Sequence, residues 1–181
     1  LGPELVSGGR CLILWGPPGV GKTALCIAVA YKAIQHGAEA KFVTCTDLIN
    51  RLTAARSRGE WEAGLARYLE PHVLVIDEVG YLSYSNRHAD LLFELVSRRY
   101  QHKSTVVTTN RAFAEWGEVF PNAACVVSLI DRLMHRAEVV RIDGASSQNV
   151  TGSESLEKYG AITAQIPARG AYTTRLRMPF Y

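Results

Sequence analysis

The stretch "GPPGVGKT" at residues 16–23 directly follows the apolar run "CLILW". Gly16, Gly21, Lys22 and Thr23 satisfy G-x-x-x-x-G-K-[ST], a spacing that turns backbone N–H groups inward around phosphate oxygens. The candidate nucleotide contacts are Gly16, Pro17, Pro18, Gly19, Val20, Gly21, Lys22, Thr23 and Ala24. Lys22 offers a positive charge to the β and γ phosphates of ATP, and the Thr23 hydroxyl can ligate Mg2+. A helix starting at residue 22 would aim the positive end of its dipole at the same anion. The competing explanation is a chance glycine turn, and a strand before the loop with a helix after it argues against that.

A second polar constellation ends the apolar run "VLVIDE". In an open α/β sheet, ligands bind beyond the carboxyl ends of the strands. Asp77 is then expected beside the phosphate loop, holding Mg2+ directly or through water, with Glu78 placed to polarise an attacking water. The pair is expected to emerge from a strand neighbouring the loop. Two exposed carboxylates in a turn are the alternative. An Asp followed by a Glu favours hydrolysis over transfer to a second substrate, so a small-molecule kinase is the lesser reading. Asn110 ends another apolar run, where its amide could touch the γ-phosphate or the attacking water, or could simply form a turn. Arg132 falls off the apolar stripe of its helix and is expected to be exposed. It reads either as a solvated arginine or as a finger entering the site of a neighbouring subunit.

These residues need a scaffold, and the chain supplies a strand–helix alternation from about residue 10 to 143. Strands are expected at 11–15, 41–45, 73–77, 104–109 and 138–142. Helices are expected at 22–36, from a cap at Thr46 or Asp47 to about 55, and at 60–70, 86–100 and 122–137. This rhythm implies right-handed crossovers and a parallel five-stranded sheet covered by helices on both faces. Beyond Gly144 the sequence is rich in Ser, Thr and Gly without sustained periodicity, and residues 145–181 are expected to form a weakly structured tail.

Bulk properties set the bounds. The chain has 181 residues, enough for one domain, and is 48% hydrophobic and 20% charged. No apolar stretch approaches the roughly 20 residues of a membrane helix, and residues 1–9 carry no signal-peptide pattern. The four cysteines have no C-x-x-C spacing and the five histidines no ligand spacing, so a cytoplasmic protein without disulfides or zinc is expected. Lys plus Arg number 20 against 17 acids, a net charge of +3, which permits a nucleic-acid partner without requiring one. Arg98 and Arg99 end a helix and are expected to complement its dipole.

Taken together, "LWGPPGVGKTALCIAVAYKA", "HVLVIDEVGYL", "LLFELVSRRY", "STVVTTNRAFAEWGEVF" and "LIDRLMHRAEVVRIDG" resemble the IstB-like ATPases. These are transposition helpers of the AAA+ class, close to the DnaC-type helicase loaders. "NRAFAEWGEVF" is the most family-specific piece. The resemblance spans about residues 10–144. It implies a P-loop three-layer sandwich with the lid reduced or absent, residues 16–23 as Walker A, Asp77 and Glu78 as Walker B, Asn110 as sensor 1 and Arg132 as arginine finger. It also implies ATP and Mg2+ as cofactors, assembly with further copies on double-stranded DNA, and a transposase as partner. The residues before the first strand are fewer than the family's N-terminal segment, and those after Gly144 do not resemble the family. The other readings are a replicative helicase loader and a nucleotide-binding core without turnover. By the same resemblance, DNA contacts fall on the helix after the second strand, at Arg51, Arg56 and Arg58, with a solvated helix face as the alternative. In the tail, Arg169, Arg175 and Arg177 alternate with Tyr172, Phe180 and Tyr181, a pattern read as a disordered end rather than a base-stacking platform.

Overall fold

The computed structural model describes residues 8–81, 85–120, 123–143 and 173–177. The strands are β1 (Cys11–Trp15), β2 (Ala40–Thr44), β3 (Val73–Val79), β4 (Ser104–Thr109), β5 (Ala137–Asp143) and β6 (Thr173–Arg177). The helices are α1 (Lys22–Gln35), α2 (Cys45–Ser57), α3 (Trp61–Leu69), α4 (Asn86–Arg99), α5 (Trp116–Val119) and α6 (Ala123–Met134), with a 3-10 turn at Phe113–Glu115. The strands form one sheet in the order β2-β3-β4-β1-β5-β6, and every neighbouring pair is parallel.

Apolar residues on both faces of the central strands explain the layering. Leu12, Leu14, Val73, Val75 and Val106 face α1 and pack with Cys26, Val29 and Ala33. Ile13, Leu74, Ile76 and Val107 point the other way, into the side chains of α2, α3, α4 and α6. Residues 73–77 of β3 are all buried, as expected for a strand covered on both faces.

The structure revises several expectations. Thr44 caps α2, its hydroxyl accepting from the Asp47 N–H at 3.2 Å, so Cys45 opens the helix instead of closing the strand. Helix α6 stops at Met134 because Arg136 takes a left-handed φ of 57° before β5. Among the described residues the five expected strands, β1–β5, form the parallel sheet, and Thr173–Arg177 adds one more parallel strand to the outer edge of β5. It lies within the stretch expected to be a weakly structured tail; an edge strand offers unpaired N–H and C=O groups for such pairing. Arg169, Tyr172, Phe180 and Tyr181 lie outside the described residues.

Arg99 departs furthest from its expected place. Arg98 does face solvent and pairs with Glu62 and Glu94. Arg99 instead turns inward and is only 1% exposed. Its guanidinium donates to the carbonyls of Tyr68 (2.7 Å), Leu69 (3.4 Å), Pro71 (3.0 Å), His72 (3.4 Å) and Ser104, and to the Thr105 hydroxyl (3.2 Å). These groups end α3, enter β3 and begin β4, so one side chain ties three segments at the amino edge of the sheet. Burial pushes its pKa down to about 10.

Candidate functional site

Beyond the carboxyl ends of β1, β3 and β4 lies a cavity of about 400 Å³. It is lined by Pro18, Gly19, Gly21, Lys22, Thr23, Ala24, Asp77, Glu78 and Asn110. Tyr81, Thr108 and Thr109 complete the lining. The sheet order explains the convergence: β1 delivers the loop, β3 delivers the acids, and β4 lies between them. The acid-bearing strand is therefore not the immediate neighbour of the loop strand, contrary to the expectation. The intervening strand places Thr108, Thr109 and Asn110 in the middle of the site.

The loop is held by close backbone packing. The Gly16 N–H donates to the Thr109 carbonyl at 3.2 Å. A Cβ on Gly16 would lie 2.1 Å from the Ile142 carbonyl oxygen, so only glycine fits there. Gly19 and Gly21 adopt left-handed φ values of 77° and 88°. Gly21 caps α1 without any side-chain hydrogen bond, and the first turn carries no acid. The N–H groups that open this 14-residue helix are therefore uncapped by side chains, as anion binding requires. Val20 is buried under the loop.

Lys22 folds back over the loop, its Nζ donating to the carbonyls of Gly16 at 2.7 Å and Pro17 at 2.6 Å. Burial lowers its pKa, while the Asp77 and Glu78 carboxylates oppose that shift. Asp77 is 3% exposed. Its Oδ2 accepts from the Thr23 hydroxyl at 2.9 Å, and its Oδ1 accepts from the Thr108 hydroxyl. Glu78 is exposed to the cavity, and its N–H donates to the Thr108 hydroxyl at 2.8 Å. Asn110 is half-buried on the same rim.

The donor set suits Mg2+. The Thr23 hydroxyl donates to Asp77, which leaves the hydroxyl oxygen's lone pairs available at the cavity wall, with a carboxylate alongside. Hard oxygen donors of this kind, completed by phosphate and water, are what Mg2+ takes. Among the described residues no group of three or more His, Cys, Asp or Glu could hold a metal, so a carboxylate–hydroxyl pair working with phosphate oxygens is the arrangement available.

Arg132 does not line this cavity. It is half-buried on α6, its guanidinium 4.9 Å from the Phe93 ring centroid and 5.8 Å from that of Tyr100. Full exposure was expected; the rings of Phe93 in α4 and of Tyr100 just after it cover the guanidinium. Arg51, Arg56 and Arg58 are exposed on and just after α2. Arg56 stacks on Trp61 at 5.0 Å, and Arg58 pairs with Glu60 at 2.9 Å.

Four residues escaped the sequence reading. Thr108, Thr109 and Tyr81 line the cavity. Arg111 links the exits of β3 and β4, donating to the Gly80 carbonyl at 3.0 Å and lying 3.5 Å from Glu118. The available signal was "STVVTTN": two consecutive threonines at the carboxyl end of a buried strand. "EWGEVF" contributes packing. Trp116 is fully buried, its ring tilted against those of Phe113 and Phe120, and its indole nitrogen would lie 3.8 Å from a Cβ placed on Gly80.

A parallel sheet with this strand order, a glycine loop opening a helix and an acid pair on the far side of β4 define a P-loop protein of the AAA+ class. The chain belongs to the family described as IstB-like ATP binding protein, which matches residues 4–155. It is 38% identical over 135 residues to a protein named for ATP binding in insertion sequence IS5376 of Geobacillus stearothermophilus, covering 75% of this chain and 54% of that one. It is also 38% identical over 145 residues to its counterpart in insertion sequence IS21 of Pseudomonas aeruginosa, covering 80% and 55%. The chain thus spans about half the length of these relatives. Among solved structures it is similar to the DnaC helicase loader, with a TM-score of 0.63 and 28% identity over 77% of this chain and 80% of that one.

Proposed function

We propose that this chain is the ATP-hydrolysing core of a DNA transposition helper, one that assembles on double-stranded DNA and recruits or regulates a transposase. The observation that carries the reading is the convergence of Lys22, Thr23, Asp77 and Glu78 on one cavity. The insertion-sequence names of its relatives support the transposition context.

In this reading the uncapped N–H groups at the start of α1 receive the β-phosphate. Lys22 exchanges its two carbonyl partners in the loop for β and γ phosphate oxygens. Thr23 and Asp77 hold Mg2+, which when bound neutralises charge developing on the phosphate oxygens. Glu78 accepts a hydrogen bond from the attacking water and orients it in line with the γ-phosphorus. Asn110 donates its amide to the γ-phosphate or to that water. Arg132 lies outside its own cavity, which suits a cation that serves a second copy bound alongside. Arg51, Arg56 and Arg58 offer exposed positive charge to a DNA backbone. Among the described residues no helix is long and apolar enough to cross a membrane, in keeping with work in the cytoplasm.

The likeness to the DnaC loader favours a second reading, replicative helicase loading. Binding of purified chain to a transposase or to a replicative helicase separates the two. The proposed function is tested by ATP turnover measured against protein concentration, with and without duplex DNA, in wild type and Glu78→Gln. A steep rise with both protein and DNA, abolished in Glu78→Gln while ATP binding persists, is expected. ATP binding with no turnover at any concentration contradicts it.

A further inference from the structure

Thr108 belongs to neither the phosphate loop nor the acid pair, yet its hydroxyl touches both acids. It is fully buried, and its hydroxyl makes two hydrogen bonds at once. It donates to Asp77 Oδ1 and accepts from the Glu78 N–H at 2.8 Å. Its single proton and one of its lone pairs are both committed to the acid pair.

The pairing of β3 with β4 explains why a side chain is needed there. The register runs from Val73↔Ser104 to Ile76↔Val107, then resumes at Val79↔Thr109. Asp77 and Glu78 thus form a bulge, an extra residue on β3 with no ladder partner. Within it Glu78 takes a left-handed φ of 63°, a conformation that non-glycine residues adopt only when their surroundings enforce it. The bulge lets adjacent residues do different work: Asp77 stays buried against Thr23 and Thr108, and Glu78 opens to the cavity. The ladder leaves the Glu78 N–H free, and the Thr108 hydroxyl satisfies it. The Thr23 hydroxyl holds the other carboxylate oxygen of Asp77, so the orientation of that carboxylate is fixed from both sides.

We propose that Thr108 is the positioning residue of the acid pair: one buried hydroxyl fixes the Asp77 carboxylate for the metal and the Glu78 backbone for the attacking water. This inference rests on the hydrolysis reading for Glu78 and on the metal reading for Asp77. Thr108 touches neither phosphate nor water in this role; it acts through the Asp77 carboxylate and the Glu78 backbone.

Thr108→Val keeps the branched shape and removes both hydrogen bonds, whereas Thr108→Ser keeps the hydroxyl. The test measures ATP affinity in EDTA, ATP affinity with Mg2+, and kcat and KM for phosphate release, on the full chain. Thr108→Val is expected to bind ATP in EDTA, which reports an intact loop and sets the reference for the metal-dependent gain. It is expected to lose about 10–100-fold in the Mg2+-dependent gain in affinity and in kcat, the usual effect of removing a group that orients a metal ligand. Thr108→Ser is expected to recover most of both. A Thr108→Val protein that keeps the metal gain and kcat, or a Thr108→Ser protein as impaired as the valine variant, overturns the proposal. Should the valine variant fail to bind ATP in EDTA, Thr108→Ser against Thr108→Ala decides on the same readouts. A wild type without turnover sinks the hydrolysis reading and with it the Glu78 half of the proposal, while the metal gain decides the Asp77 half. A wild type without any metal gain sinks both.

Discussion

Replacing Arg99 by methionine should destabilise the fold by several kcal/mol, although the residue lies at the edge of the sheet opposite the cavity. The side chain is 1% exposed and donates to five backbone carbonyls and one hydroxyl. Methionine fills part of the same space and donates to none of them. The Tyr68 and Pro71 carbonyls, at 2.7 and 3.0 Å, and the Ser104 carbonyl would be the acceptors most affected. Each buried acceptor left without a partner costs about 1–3 kcal/mol. Removing a buried charge returns part of this, because the guanidinium no longer has to be desolvated. The net loss should be about 3–5 kcal/mol. For a domain of this size each kcal/mol moves Tm by roughly 2–4 °C. Urea unfolding followed by circular dichroism, at fixed m-value, measures the change. Arg99→Lys retains the charge and part of the donor set and should fall between the two. A loss below about 1 kcal/mol, or a gain in stability, would mean that desolvation cancels the hydrogen bonds, and the assignment of Arg99 as the tie between α3, β3 and β4 would be wrong.

Three further outcomes are expected. Gly16→Ala brings a Cβ to 2.1 Å from the Ile142 carbonyl oxygen; relieving the clash should cost about 1–3 kcal/mol, seen in urea unfolding, together with a marked loss of ATP affinity in equilibrium titration. Burial raises the Cys11 thiol from 9.0 to about 11 and raises Cys26 as well, so the folded state binds these protons more tightly than the unfolded chain. The Cys11 contribution to stability is full below pH 9 and is lost as pH climbs through 11, while that of Cys26 keeps falling at higher pH; Cys11→Ala should shrink the decline between pH 9 and 11 in pH-dependent unfolding. Arg132→Ala should lose turnover alone yet regain part of it when mixed with Glu78→Gln, whose intact arginine can serve the neighbouring Glu78. No recovery in the mixture would show that Arg132 does not act between subunits.

The parts of this molecule legible in the sequence are those written locally. "CLILW" and "VLVID" are continuous apolar runs because their strands are buried on both faces, and a glycine loop between strand and helix admits few other uses. What was not legible depends on partners distant in the chain. A helix-terminal arginine looks solvated until carbonyls from residues 68–72 and 104 converge on it, and that convergence is a property of packing. The position of β4 between β1 and β3 comes from the crossover order, which spacing does not encode. The bulge at Asp77–Glu78 is a register shift against β4, so the use of Thr108 became visible only with the strands paired. Arg132 looked exposed from its own helix because the rings covering it come from elsewhere, Phe93 from α4 and Tyr100 from the residue after it.

The proposed function depends on the glycine loop and Lys22 being built to hold nucleotide phosphates. The most direct measurement is equilibrium ATP binding to wild type and Lys22→Ala, with circular dichroism confirming that both are folded. Micromolar-range binding in wild type, on the order expected for an ATP site, and a loss of at least about a hundredfold in the variant, as for a deleted charge-assisted contact, are the predicted result. Equal affinity in the two proteins, or no ATP binding to a folded wild type, would contradict it.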